Sequence, residues 1–333
     1  MEAIPDNAIT RRRRNELRCA LAVLVVLAIL PLPISDVYTQ NLIILTLFYA
    51  GLSQAWNILG GTCGQISLGH AFYFGVGAYT STMLFTHLGI PPTLGMFAGG
   101  AMGGLMALLI GWPCFRLSGH YYVIATFVVG EIGSLLFLNW DWIGGASGLY
   151  IPFHGESWIN LQFRTAKLPW HYLFLTFAAA TWLVAWLIDG SRWGFAWRAV
   201  RDDVVAARSL GVSVFRSKMA AAVISGFFTG LGGALYGQFV GYIDPDSMMT
   251  GSLSVLISLP AVLGGVGTLW GPVVGAAILI PVRELSSTFL GGSGRGVDLM
   301  LYGAMIVLVA LARPQGLVSL LALVRGGRNA RTA

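Results

Sequence analysis

The chain has 333 residues, of which 56% are hydrophobic and only 10% charged, and its net charge is +6. Soluble domains carry roughly 25% charged residues, so a water-soluble domain is excluded along the whole length. The basic balance calls for no nucleic-acid partner, because the arginines gather at the ends of apolar runs, where membrane topology uses them.

Apolar runs of about 18 to 25 residues recur down the chain, each long enough to cross about 30 Å of hydrocarbon. They predict an all-α polytopic membrane protein with about ten transmembrane helices. Residues 1–16 are polar and include Arg11 to Arg14, which place the N-terminus in the cytoplasm. The apolar run Leu17 to Ile34 follows without a convincing small-residue cleavage site, so it reads as an uncleaved first span. A second span covers Asn41 to Leu59. Gly60 to Tyr79, GGTCGQISLGHAFYFGVGAY, is then too apolar for an ordinary loop and too broken for a simple helix. Gly60, Gly61, Gly64 and Gly69 interrupt it, while Gln65, Ser67 and His70 bring hydrogen-bonding groups to membrane depth. Irregular backbone there must be covered by protein or line a water-filled cavity. Two readings stay open: a loop with small-residue helix packing, or a broken helix whose Gln65, Ser67, Gly69 and His70 flank a substrate pathway. His70 taken alone reads as a hydrogen-bonded packing residue.

The third span ends near His87, and the fourth runs from Thr93 to Trp112. Arg116 marks a short inner loop. The fifth span, Tyr121 to Leu138, holds Glu131, and an acid inside an apolar helix is a functional candidate because a lone charge there is costly. Glu131 is open to a pathway role, a structural hydrogen bond or a place near the outer interface. Asn139 to Trp170 forms the longest outer segment, with Trp140, Trp142, Trp158 and Trp170 as interfacial rings.

The sixth span, His171 to Ile188, leads into a basic loop at 190–218. There Arg198, Arg201, Arg208, Arg216 and Lys218 face only Asp202 and Asp203. At about 100° per residue, Trp197, Val200, Val204 and Ala207 share one stripe beside Arg198, Arg201 and Arg208. This spacing predicts a short amphipathic helix stopped by Gly211, with an apolar stripe seated on a partner or the membrane surface. Spans at Met219 to Tyr242, Leu253 to Leu269, Pro272 to Phe289 and Val297 to Ala312 complete a permease domain over 17–313. The basic tail 314–333 carries Arg325, Arg328 and Arg331. The even span count puts both termini and the 190–218 loop in the cytoplasm, and the outer loops hold only Arg164, Lys167 and Arg295.

AWNILGG, Ala55 to Gly61, has a faint echo in LPAVLGG, Leu259 to Gly265, and each opens a glycine-broken run. Interrupted segments at matching places in two halves point to a transport site between inverted repeats, which adds Gly264 and Gly265 to the pathway candidates. No phosphate-binding loop ending in lysine is present, and GGSGRG, Gly291 to Gly296, reads as an outer turn. No catalytic triad, zinc motif or carboxylate pair stands out, and Cys19, Cys63 and Cys114 have neither pairing nor ligand spacing. No catalytic residue, cofactor or metal is therefore expected. Arg283 and Glu284 fall within a span but point about 100° apart, which disfavours a direct mutual pair.

Ala206-Ala207, three residues and then Gly211 resemble the coupling-loop motif of ABC importer permeases, with Val205 where that motif has glutamate. RAVRDDVVAARSLGVSVFRSKMAAAVISGFFTGLGGALYG, Arg198 to Gly237, closely resembles the permeases of branched-chain amino-acid ABC transporters. GQISLGHAFYFGVGAY, EIGSLLFLNWDWIGGASGLYIP from Glu131, LGGVGTLWGPVVGA and ARPQGL from Ala312 are similar as well. The order looks like the longer of that family's paired permeases. The resemblance implies a bacterial inner-membrane importer subunit, working with a second homologous permease, cytoplasmic ATPase subunits and a periplasmic solute-binding protein. Arg198, Arg201, Asp202, Ala206, Ala207 and Gly211 would then couple to the ATPase, and small apolar amino acids would be the substrate. Urea and short-chain amide importers have similar permeases. An ion-coupled transporter using Glu131, or a membrane enzyme or scaffold using His70 and Glu131, are the readings from other classes.

Overall fold

The apolar runs fold as helices, and their ends are set by local chemistry. A computed structural model describes residues 6–117, 119–290, 303–304 and 316–318. In chain order they form α1 (Asp6–Ile29), α2 (Val37–Asn57), a π turn (Ile58–Thr62), α3 (His70–Leu88), α4 (Pro92–Cys114) and α5 (His120–Leu138). Then come β1 (Leu149–Tyr150), α6 (Leu168–Asp189), α7 (Arg192–Asp202), α8 (Val204–Ser209), α9 (Val214–Val240) and β2 (Tyr242–Ile243). α10 (Pro245–Met248), α11 (Gly251–Gly264) and α12 (Gly271–Leu290) follow. Asp36 caps α2 by accepting the Thr39 N–H at 2.9 Å and its hydroxyl at 2.7 Å. Gly89 and Gly241 end α3 and α9 in the left-handed region, at φ +64° and +78°.

Among the described residues, six helical stretches are long and apolar enough to cross a membrane: Val37–Thr62, Pro92–Cys114, His120–Leu138, Leu168–Asp189, Val214–Val240 and Pro245–Gly264. The chain is thus an all-α, multi-pass membrane protein, and β1 and β2 add only a two-residue antiparallel clip, Leu149 opposite Ile243.

α2 lies in the middle, buried along its second half and packed by α6, α11 and α12. Beside it α3, α4 and α9 close on one another through glycines. A Cβ on Gly77 would sit 2.0 Å from the Gly230 carbonyl oxygen, and one on Gly103 would sit 2.5 Å from that of Gly226. Within a bilayer, where apolar burial does not distinguish helix from lipid, such close backbone packing is what holds helices together. The molecule has two ends: one carries α7 and α8, the other carries β1, β2 and the 139–167 segment.

Several boundaries differ from the sequence expectation. α1 begins at Asp6, so the basic cluster is itself helical, as suits arginine, and it ends at Ile29 ahead of Pro31 and Pro33. α9 starts at Val214, not Met219, and takes Lys218 into a buried position. The expected span Leu253 to Leu269 is shorter: α11 stops at Gly264 and a turn precedes α12. Arg283 of α12 hydrogen-bonds the Tyr49 hydroxyl, which gives its guanidinium a partner on α2. The expected last span, the 291–296 turn and the tail arginines lie outside the described residues. Residues 316–318 return to the end of α11, where the Leu317 N–H donates to the Leu263 carbonyl at 3.0 Å.

Candidate functional site: two chain breaks joined by a loop helix

The first break follows α2. Trp56 folds over Gly60, where a Cβ would meet its ring at 2.6 Å, and its indole N–H donates to the Ser67 carbonyl at 2.8 Å. That bond closes residues 57–67 into a compact bend, with Gly64 at φ +73°. Ser67 is buried and its hydroxyl accepts the Gly69 N–H at 3.3 Å. Gly69 lies against α5, its missing Cβ 2.7 Å from the Thr126 carbonyl oxygen. The His70 Nε2 stands 2.8 Å from the Ser225 hydroxyl, which donates to the Ala55 carbonyl at 2.7 Å. The serine proton is thus committed to Ala55, so Nε2–H of His70 is the donor of the first bond. His70 is fully buried and ties α2, α3 and α9 together. Gln65 is half-buried; its side-chain amide donates to the neighbouring Gly64 carbonyl at 3.2 Å and its backbone N–H to the Leu59 carbonyl at 3.1 Å.

The second break follows α11. Gly265 and Gly267 have φ of +132° and +76°, conformations that glycine alone adopts freely. Thr268 pins the turn, donating to the Gly265 carbonyl at 2.8 Å and accepting the Gly271 N–H at 3.0 Å. A Cβ on Gly264 would stand 1.7 Å from the Gly271 carbonyl oxygen. At its far end α11 has no cap from Thr250; instead Glu131 of α5 accepts the Gly251 N–H at 2.8 Å. A carboxylate on orphan amides at the positive end of a helix is favourable electrostatics, and it assigns Glu131 a structural bond.

The two breaks touch. Asn57 donates to the Thr268 carbonyl at 2.9 Å and accepts the Gly267 N–H at 2.8 Å, bridging about 210 residues of sequence. Gly61 fits beneath that bridge, where a Cβ would stand 2.4 Å from the Gly267 nitrogen. Sequence reasoning quoted Asn57 inside AWNILGG but gave it no role; the signal available was an amide side chain beside a glycine pair in an apolar run.

The basic loop packs into this junction. The predicted single amphipathic helix is two, because Asp203 is extended (φ −155°) and its carboxylate caps α8 through the N–H groups of Val205 (2.7 Å) and Ala206 (3.0 Å). Gly211 ends α8 at φ +82°, as its place predicts. The apolar stripe does not face outward: Trp197, Val200 and Ala207 are buried in the chain's own core. The outward face is instead Ala206, Arg208, Val205 (74% exposed) and Leu210 (81% exposed). Arg198 turns back to α6, pairing with the Asp189 carboxylate and donating to its carbonyl at 2.9 Å. Arg201 goes the other way. Its Nη1 donates to the Gly61 carbonyl at 3.3 Å, its Nε binds Asp202 at 3.0 Å, and its stem fills the space a Cβ on Gly64 would need. The same Nη1 lies 2.8 Å from the position of a Cβ on Gly267.

One guanidinium therefore ties the loop helix to the first break and lies beside the second. Among the predicted residues the structure brings Arg201, Asp202, Gly264 and Gly265 to this junction, while Ser67, Gly69 and His70 of the first break pack on Trp56, Thr126 and Ser225. Glu131 sits apart, at the opposite end of α11. Among the described residues no group of three His, Cys, Asp or Glu side chains is placed to hold a metal.

Residues 38–310 match the family model of the permease component of branched-chain amino acid transport systems. The chain belongs to this family of transport permeases. Over 304 residues, 84% of this chain and 70% of the relative, it is 31% identical to the high-affinity branched-chain amino acid transport system permease protein LivM of Escherichia coli K12. It is 28% identical over 294 residues to the LivH permease of Salmonella typhimurium LT2, covering 81% of this chain and 91% of that one. The autoinducer 2 import system permease protein LsrC of Klebsiella pneumoniae is 26% identical over 158 residues, 44% of this chain and 46% of its own. No solved structure matches the chain. The same Salmonella strain has both a LivM and a LivH, each a permease of a branched-chain system, which supports a second homologous permease as the partner of this family member. The family is one of transport components and not of enzymes.

Proposed function

We propose that the chain is the permease subunit of an ATP-driven importer for branched-chain amino acids in a bacterial inner membrane. It receives substrate from a periplasmic binding protein and releases it to the cytoplasm by alternating access. A second permease completes the path and cytoplasmic ATPase subunits drive it. In this reading about ten helices span the bilayer, both termini and the α7–α8 loop are cytoplasmic, and the chain carries inverted repeats around the two breaks.

The observation that carries the reading is Arg201. A loop kept only for topology needs charge but no specific contact, whereas here α7 is bonded to the Gly61 carbonyl at the point where both breaks meet. A push on α8 would travel through the buried Trp197, Val200 and Ala207 as a rigid body and reach the breaks through Arg201 and Asn57. The docking face for the ATPase is Val205, Ala206, Arg208 and Leu210, whose exposure leaves apolar surface uncovered. Because a zwitterion has no net charge, its path needs amide and carbonyl dipoles at helix breaks and no lone counter-ion. The experiment is co-purification of the complex followed by ATP-driven uptake of labelled leucine in proteoliposomes. Uptake without any ATPase subunit, driven by a proton or sodium gradient, would reverse the assignment.

A further inference from the structure

α1 stands off from the bundle and leaves a crevice of about 260 Å³ between itself, α2, α6 and the start of α12. Its walls are apolar side chains, among them Leu17, Leu24, Leu47, Leu175 and Trp182. One helical turn beyond the lining residues Leu17 and Trp182 stand Arg13 and Trp186, which give the crevice a polar end. Arg13 precedes Leu17 by four residues and so shares its face of α1. Its guanidinium lies 4.6 Å from the Trp186 ring centroid and donates to the Trp186 carbonyl at 3.2 Å. Trp182 and Trp186 follow each other by one turn of α6, and among the described residues neither buried indole N–H has an acceptor. Arg14 and Arg18 are exposed nearby on the same helix.

The occupant must be long and apolar in the slot, with anionic oxygens at the mouth. From this we infer that the crevice between α1 and α6 is a binding site for an anionic phospholipid, one acyl chain lying along Leu17, Leu24 and Trp182 and the phosphate held by Arg13. A guanidinium carries five N–H donors and the Trp186 carbonyl takes one, which leaves geometry for a phosphate oxygen. Gly190 belongs to the same site: a Cβ there would meet the Arg13 guanidinium at 1.9 Å, so the mouth is shaped around that side chain.

The test is native mass spectrometry of the complete purified transporter, released from nanodiscs of equal phosphatidylglycerol and phosphatidylcholine. The expected result is one retained phosphatidylglycerol for each copy of this chain. Arg13→Gln should lower its retention about fivefold relative to phosphatidylcholine, the loss of one basic contact to an anionic headgroup. Ala179→Phe, on a crevice wall, should expel both lipids. Gly190→Ala, which displaces the guanidinium and keeps its charge, should weaken retention without altering assembly, so a folding defect in either other variant leaves the proposal open to refutation. Equal retention of the two lipids by the wild type, or phosphatidylglycerol unaffected by Arg13→Gln and Gly190→Ala, would overturn it. A cross-link from Leu24 to the second permease would do the same.

Discussion

Replacing Arg201 by alanine removes one charge-assisted bond to the Gly61 carbonyl and the stem that packs on Gly64. Hydrogen bonds from charged groups are worth about 1.5–3 kcal/mol when buried. This side chain is 36% exposed and the bond is 3.3 Å long, so screening brings the expected loss to about 1 kcal/mol. About 1 kcal/mol is close to fivefold in an equilibrium, here the one between α7 seated on the breaks and α7 released from them. The variant should insert and assemble normally, since the buried anchors Trp197 and Val200 are untouched. In proteoliposomes holding the whole transporter, transported amino acid per ATP hydrolysed should fall about fivefold, with hydrolysis itself preserved. Arg201→Lys should be intermediate, because an ammonium keeps a donor but loses the planar fork. A cycle with Asn57→Ala should be non-additive, since both side chains act on the Gly61–Gly267 contact. An unchanged transport-to-ATP ratio in Arg201→Ala would refute the argument that the loop helix acts through this residue.

Glu131→Ala should uncap α11 and cost about 1 kcal/mol, read as faster hydrogen exchange from Gly251 to Ser254, while Glu131→Gln keeps an acceptor oxygen and most of the protection. Trp197→Ala should destabilise the chain by about 3–5 kcal/mol, seen as lost expression and a lower melting temperature; Val205→Glu should leave melting unchanged and abolish ATPase co-purification. Gly61→Ala should be far worse than Gly211→Ala, since the first forces a Cβ to within 1.9 Å of the Asn57 oxygen and the second meets only the strain of φ +82°. In the 139–167 segment the Thr165 hydroxyl, the Thr165 N–H and the Arg164 N–H hold the Glu156 carboxyl below its ordinary 4.5. A depressed folded value means that this order is present above the unfolded pKa and is lost as pH falls through the folded one. The fluorescence of Trp158, which packs on Phe163, should therefore stay constant down to the ordinary glutamate range and change only below it.

The helical membrane class was legible because a span needs uninterrupted apolar length, and length survives in one sequence. Gly211 was legible for a similar reason, since left-handed stops have a residue signature. Asp203 was harder: an acid inside an amphipathic pattern reads as surface, yet it caps α8 and breaks the helix. The stripe of Trp197, Val200 and Ala207 was read correctly as a face that must be buried, but periodicity says nothing about what buries it, and the chain itself does. Glu131 and His70 were visible as polar groups at membrane depth. Their partners, Gly251 and Ser225, lie 120 and 155 residues away and leave no local trace. Asn57 was missed because one amide in an apolar run is unremarkable until Gly267 is placed opposite it.

The claim that this chain passes branched-chain amino acids under ATPase control is tested most directly by competitive uptake in proteoliposomes of the complete transporter with its binding protein. ATP should drive accumulation of labelled leucine, with isoleucine and valine competing at comparable concentration and saturating urea or acetamide leaving uptake unchanged. Uptake that urea or acetamide blocks and replaces, while leucine does neither, would contradict the substrate; accumulation that persists when ATP is withheld would contradict the drive.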